Sequence, residues 1–417
     1  MVKMSDVNKK VERGMQEYWK QIIVVSTLGW VVVWLNRTAL TPIYPQLSEY
    51  FGGATDAEIG AISSFYFLGY VLMQIPSGLL VDKFGKKAVL IPGFLLFGVG
   101  TLILALSTSL NVMYFGNVLA GIGSGTFYGV AFSLTNEYVP TKYRSVATAV
   151  VNCGTAIGSG IGMIASSYFV SQRNMPWQYM EYLSFATILI MIVIFMLFIK
   201  KDSGSKENEK LEIVTTEDKL SMKKLFSAKM IGAYAVYFAT CYAYYLVNTW
   251  LPNFLETERG FEGATIGLAS SLIFVSSIPG ALLFSRIADK FQHKKIELVV
   301  MLELLAAISL YLAVMATNKN ILLLGLLLYG FFGKVVVEPI IISWLGDNMP
   351  KKGLATTLGV FNFLGMSSSV IAPSLTGKIS DATGSKINAF YISITILIVG
   401  TSIFYLVNRK KAELINE

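Results

Sequence analysis

The stretch Gly69-Tyr70-Val71-Leu72-Met73-Gln74-Ile75-Pro76-Ser77-Gly78-Leu79-Leu80-Val81-Asp82-Lys83-Phe84-Gly85-Lys86-Lys87 ends one long apolar segment and opens another across a tight basic turn. It reads as a hairpin between two membrane helices. A degraded copy, Ser285-Arg286-Ile287-Ala288-Asp289-Lys290-Phe291-Gln292-His293-Lys294-Lys295, recurs roughly half a chain later, so the chain is expected to consist of two related halves. In the first copy a small residue at Gly78 lets a neighbouring helix approach closely, and Gly85 permits a turn with positive φ. Asp82, a carboxylate flanked by lysines, is placed to meet the positive N-terminus of another helix or an arginine.

Composition supports the membrane reading. The 417 residues are 54% hydrophobic and only 14% charged, too few charges to cover a water-soluble globule. Twelve apolar stretches of about 20 residues, each long enough to cross a bilayer, recur between short polar turns. Cys153 and Cys241 fall inside apolar stretches without ligand spacing, and the single histidine, His293, sits in a basic loop. No metal site, cofactor or catalytic triad is expected, and the absence of a Gly-x-x-x-x-Gly-Lys-Ser/Thr loop argues against a self-contained ATP-driven pump.

The net charge of +8 is topological. Most of the 34 Lys and Arg residues lie in the N-terminal segment, the hairpin around Lys83–Lys87, the turn at Lys142 and Arg144, the central loop, the loop at Arg286–Lys295, the turn at Lys351 and Lys352, and the tail. That alternation predicts both termini and the central loop on the cytoplasmic side, with no nucleic-acid partner. The expected organisation is an amphipathic N-terminus over 1–19, with Val7, Val11, Met15 and Trp19 spaced by four, a six-helix bundle over 20–199 and a charged linker over 200–229. A second six-helix bundle over 230–408 and a tail over 409–417 complete it. Gly154, Gly158, Gly160 and Gly162 predict a close helix contact in the first bundle.

Charged groups inside spans mark candidate sites. Arg37, preceded by Asn36, lies roughly 25 Å along the first span, where its guanidinium could meet a carboxylate or phosphate bidentately. Lys334 and Glu338 stand four apart on one helix face and are followed by Pro339, which predicts a kink beside them. The pair is either structural or a protonation switch that opens when an anion captures Lys334. Tyr242, Tyr245 and Asn248 share a face and are candidate cavity residues.

The Gly-x-x-x-Asp-Lys-x-Gly-Lys-Lys pattern resembles the loop motif of the major facilitator superfamily. Asn36-Arg37-x-x-Leu40 and Tyr245-x-x-Asn248-Thr249-Trp250-Leu251-Pro252-Asn253-Phe254-Leu255 are similar to the anion:cation symporter family, which includes sialin and bacterial sugar-acid permeases. The resemblance implies a monomeric, non-enzymatic secondary transporter of a small organic anion in the cell membrane, working by alternating access with H+ or Na+ symport. It implies that Arg37 faces the substrate anion and that Asp82 gates; the intramembrane polar pattern itself adds Asn36, Lys334, Tyr242, Tyr245 and Asn248 as candidate binding residues and Glu338 with Lys334 as the candidate coupling pair. Gly78, Asp82, Gly85, Lys86, Arg144 and Asp289 would gate, the first hairpin latching against the start of helix 11. Permeases of this kind often carry acids before the arginine and in helix 4, where this chain has Asn36 and the uncharged run Ser124–Tyr128. An organic phosphate antiporter, a multidrug exporter and a transporter-like sensor are the alternatives. A second cavity arginine in helix 7 would favour the first of these, but only Arg259, in the outer loop, is found.

Overall fold

The computed structural model describes residues 2–140, 143–200, 225–348 and 351–409; the side chains of 2–17, 82, 132, 136, 144–146, 149 and 351–356 stand outside that description. The side chains of Asp82 and Arg144, most of the expected linker and nearly all of the tail therefore lie outside the described residues. Among the described residues the chain is all-α, and twelve helices are long and apolar enough to cross a membrane.

In chain order the helices are α1 (Val2–Ala39), α2 (Tyr44–Tyr50), α3 (Asp56–Phe84), α4 (Lys86–Ala105), α5 (Leu110–Tyr138), α6 (Arg144–Ser166) and α7 (Gln178–Phe198). The second half has α8 (Ala228–Arg259), α9 (Ala264–Lys290), α10 (Lys295–Met315), α11 (Lys319–Phe332), α12 (Lys334–Asn348), α13 (Lys351–Thr383) and α14 (Ile387–Arg409). Local sequence explains several boundaries. The backbone runs helically from Val2 through the first span to Ala39, and no proline precedes Pro42 to interrupt it. Gly85 takes a φ of 86° and turns the chain from α3 into α4, as expected of a residue without Cβ. Asn318 caps α11, its side chain accepting from the backbone N–H groups of Asn320 and Ile321.

The chain forms two compact units. The first comprises Met1–Leu40, Phe65–Ser166 and Asn174–Gly204. Within it α1 lies along α6: Cβ atoms added at Gly154, Gly158 and Gly162 would come within 2.5, 2.3 and 2.5 Å of the Thr27 carbonyl, the Val31 carbonyl and Thr38 Oγ1. The predicted glycine contact is thus present, and its approach is too close for any side chain. Phe94, Phe97, Phe127 and Phe195 form an aromatic core where α4, α5 and α7 meet.

The second unit comprises Thr41–Ser64, Ser167–Arg173 and Ser205–Glu417. Its centre is α8, buried almost continuously from Ala239 to Leu255 and packed on α13 and α14. The Asp56 end of α3 also belongs here. The N–H groups of Asp56 and Ala57 donate to the Asp381 carboxylate at 2.8 and 2.9 Å, which satisfies helix-terminal donors with a negative charge. Lys386 pairs with Asp56 at 2.8 Å, and Gly60 and Gly377 bring α3 and α13 into backbone contact.

Two expectations need correction. The close helix approach predicted at Gly78 is not found among the described residues: a Cβ there would meet none of them within 4 Å, and the residue is exposed. The close approaches of α3 within the first unit lie farther up the helix, where Gly69 abuts the Val118 carbonyl and Gly121 abuts the Tyr66 carbonyl. The break beside Lys334 is not caused by Pro339, which lies inside α12. Gly333 interrupts the span instead, with a ψ of −157° that leaves the helical region while its N–H closes α11 on Tyr329.

Candidate functional site

In the first unit Arg37 is 8% exposed near the end of α1. Its Nε donates to the Tyr66 hydroxyl at 3.0 Å, and that hydroxyl is in turn hydrogen-bonded to Ser124 Oγ at 2.6 Å. The guanidinium lies 4.1 Å from the ring centroid of Tyr70, 4.8 Å from Trp34, 5.2 Å from Tyr66 and 5.6 Å from Phe67. Stacked and hydrogen-bonded, the planar fork is held in one orientation.

Asn36 does not join it. Neighbouring residues of a helix point about 100° apart, and Asn36 turns to the opposite partners, donating to Thr101 Oγ1 at 3.3 Å and to Glu181 Oε2 at 3.4 Å. Glu181, at the start of α7, is completely buried. The structure therefore brings a carboxylate beside Asn36, supplied by α7 rather than by α1.

In the second unit Lys334 Nζ meets Glu338 Oε2 at 2.9 Å, with side chains 12% and 27% exposed, as the four-residue spacing predicts. The Tyr237 hydroxyl donates to the other oxygen of Glu338, and Tyr237 itself stacks on Phe361 at 3.8 Å. Lys334 Nζ lies 5.3 Å from the ring centroid of Tyr244, and the two border a small cavity with Ser277 and Tyr329. Tyr242, Tyr245 and Asn248 are all buried in α8. The Tyr245 hydroxyl donates to Met366 Sδ at 3.2 Å, whereas Tyr242 Oη and Asn248 Oδ1 have no hydrogen-bond partner among the described residues. Arg259 is engaged by the Val314 and Glu258 carbonyls and the Phe254 ring.

Of the predicted gating residues, Gly85 makes its turn, Lys86 is paired with Glu137 of α5, and Asp289 is exposed near the end of α9. Sequence reasoning missed Glu181 and Glu303, and it saw Tyr237 and Tyr244 in an aromatic-rich helix without preferring them as site residues. Glu303 is 1% exposed in the middle of α10 and accepts the Thr240 hydroxyl. An acid inside an apolar run was the available signal for it.

Comparison with known proteins agrees with this fold. The chain matches the Major Facilitator Superfamily over residues 27–373, and a shorter match, to a family described as vacuole effluxer Atg22 like, covers 343–414. It is 22% identical to a D-galactonate transporter of Escherichia coli over 95% of this chain and 97% of that one. It is 23% identical to a hexuronate transporter of Bacillus subtilis, over 89% and 90% of the two chains. A 4-hydroxybenzoate transporter, PcaK of Acinetobacter baylyi, is 27% identical over 68% of each. The crystal structure of a bacterial homolog of the human lysosomal transporter Spinster superposes with a TM-score of 0.76 at 14% identity, covering 94% of this chain and 97% of that one. The chain is an integral membrane protein that crosses the cell membrane many times. It belongs to the Major Facilitator Superfamily.

Proposed function

We propose that the chain is a secondary active transporter that moves a small organic anion, a carboxylate or sugar acid, across the cell membrane by alternating access in symport with a proton or sodium. The observation that carries this reading is Arg37, a buried cation in a membrane-spanning helix, with its fork oriented by Tyr66 and four ring faces. In a low-dielectric setting such a group selects an anion, and its planar donors match a carboxylate. The relatives named as carriers of galactonate and hexuronate support the same substrate class.

In this reading Lys334 is the second substrate-binding cation, and Tyr242, Tyr245 and Asn248 contribute polar contacts. An anion that captures Lys334 frees Glu338 to take a proton, so the pair is the coupling element. Both termini face the cytoplasm, following the distribution of Lys and Arg. Asp82, Gly85, Lys86, Arg144 and Asp289 keep the gating role there. The full chain reconstituted in liposomes tests the proposal. Labelled galactonate or glucuronate is expected to accumulate when an inward proton or sodium gradient is imposed and to stop accumulating when the gradient is collapsed. Absence of uptake for both acids under both gradients refutes it.

A further inference from the structure

Glu181 is completely buried, yet the only hydrogen bond its carboxylate receives from the described residues comes from a neutral amide, that of Asn36. Its second oxygen, Oε1, is buried without a hydrogen-bond partner among those residues. The helices packed most extensively against α7 are α1 and α4, and α5 reaches it through Phe127 on Phe195; the charged residue of α5 is Glu137, paired with Lys86. On α4 the titratable groups are Lys86 and Lys87 at its first turn, engaged by Glu137 and by the Met196 and Ile199 carbonyls. On α1, Arg37 is turned toward Tyr66 and Tyr70, and Lys20 with the groups preceding it lies about 24 Å or more along the helix. On α7 itself Glu181 is the only charged residue. No described cation forms an ion pair with it.

A carboxylate buried in a membrane-spanning bundle requires a neutralising partner. The described residues supply none, which points to a partner taken from solution. A metal ion would require a cage of oxygens. Among the described residues no cluster of His, Cys, Asp or Glu surrounds Glu181, and its neighbour presents an N–H donor. That chemistry suits a proton.

We propose that Glu181 is a proton-binding site, loaded and emptied during the transport cycle and linked to the anion through α1. Asn36 and Arg37 are consecutive, so one helix carries the contact to Glu181 on one side and the anion-binding fork on another. The buried acid of the second unit, Glu303, has Thr240 of α8 as its partner, whereas Lys334 stands on α12. The inference rests on the transport reading above and adds a site in the first unit to the Lys334–Glu338 pair in the second.

The test has two arms, both on the full chain in liposomes. In infrared spectra taken without substrate, the carbonyl band of a protonated carboxyl group is expected to lose intensity in Glu181→Gln relative to the parent protein; identical spectra overturn the site. In the second arm, the proton-to-galactonate ratio is read from reversal potentials. The ratio is expected to fall by one in Glu181→Gln and to be kept in Glu181→Asp; an unchanged ratio in Glu181→Gln overturns the role. A parent protein that transports neither galactonate nor glucuronate under either gradient refutes the transport reading, whereas the infrared arm still decides whether Glu181 holds a proton. If Glu181→Gln does not fold, Glu181→Asp decides: a carbonyl band that titrates at a pH different from the parent's supports the site, and an unshifted band overturns it.

Discussion

Arg37 in the first unit and Lys334 in the second are cations set within membrane-spanning helices, and they are held by different means. The contacts of Arg37 include a tyrosine hydroxyl and four ring faces, whereas Lys334 meets a carboxylate beside the ring of Tyr244. Hydroxyls and ring faces orient a guanidinium without competing for an anion. A carboxylate competes directly, so an incoming anion must displace Glu338 before it gains Lys334. The first arrangement suits capture, and the second suits a response to capture.

The comparison can be broken most directly at Arg37. Arg37→Ala is expected to lower kcat/KM for uptake by about 100-fold or more, equivalent to about 3 kcal/mol, with little change in the thermal melting curve. Retained uptake would end the distinction between the two cations. Lys334→Ala is expected to act on stability as well as transport. It should raise KM by about 10-fold and destabilise the fold by about 1–3 kcal/mol, because Glu338 keeps only Tyr237 and partial solvent contact. Melting curves should recover when Lys334→Met is combined with Glu338→Leu, a result that a purely anion-binding Lys334 would not give.

The smallest effects belong to the two orienting tyrosines. Tyr66→Phe removes the hydroxyl that accepts from Arg37 and is expected to raise KM about 5-fold. Tyr237→Phe leaves Lys334 in place on Glu338 and is expected to change KM by about 2-fold at most. Uptake kinetics on both variants sharpen the comparison: equal losses would mean that both cations depend on their tyrosines alike.

Local spacing made part of this legible in the sequence. The glycines of α6 recur every four residues and do bring α1 into backbone contact, and Lys334 and Glu338 stand one turn apart and do pair. What lay beyond reach depended on partners distant in the chain. Tyr66, Phe67 and Tyr70 come to Arg37 from α3, and Glu137 comes to Lys86 from α5. Glu181 was hidden for a different reason. An acid in the first turn of a span reads as a residue at the membrane surface, and only the packing of α1 and α4 against α7 reveals that it is buried. Gly78 shows the opposite error: a small residue in a helix was taken to imply a neighbour, but α3 meets its partners at Gly69 and Gly60 instead.

The interruption at Gly333 has an electrostatic consequence for the residue that follows it. Because α12 begins at Lys334, the ammonium group is carried by the first turn of a helix, the end where aligned peptide dipoles already place about half a positive charge. A lysine there is at the wrong pole, and Glu338, one turn deeper, relieves the mismatch. An uninterrupted helix would put the same lysine in mid-helix and spread the pole elsewhere. The break thus adds backbone to side-chain charge, and on the proposed transport reading an anion at Lys334 would meet a field that the ammonium group alone would not produce.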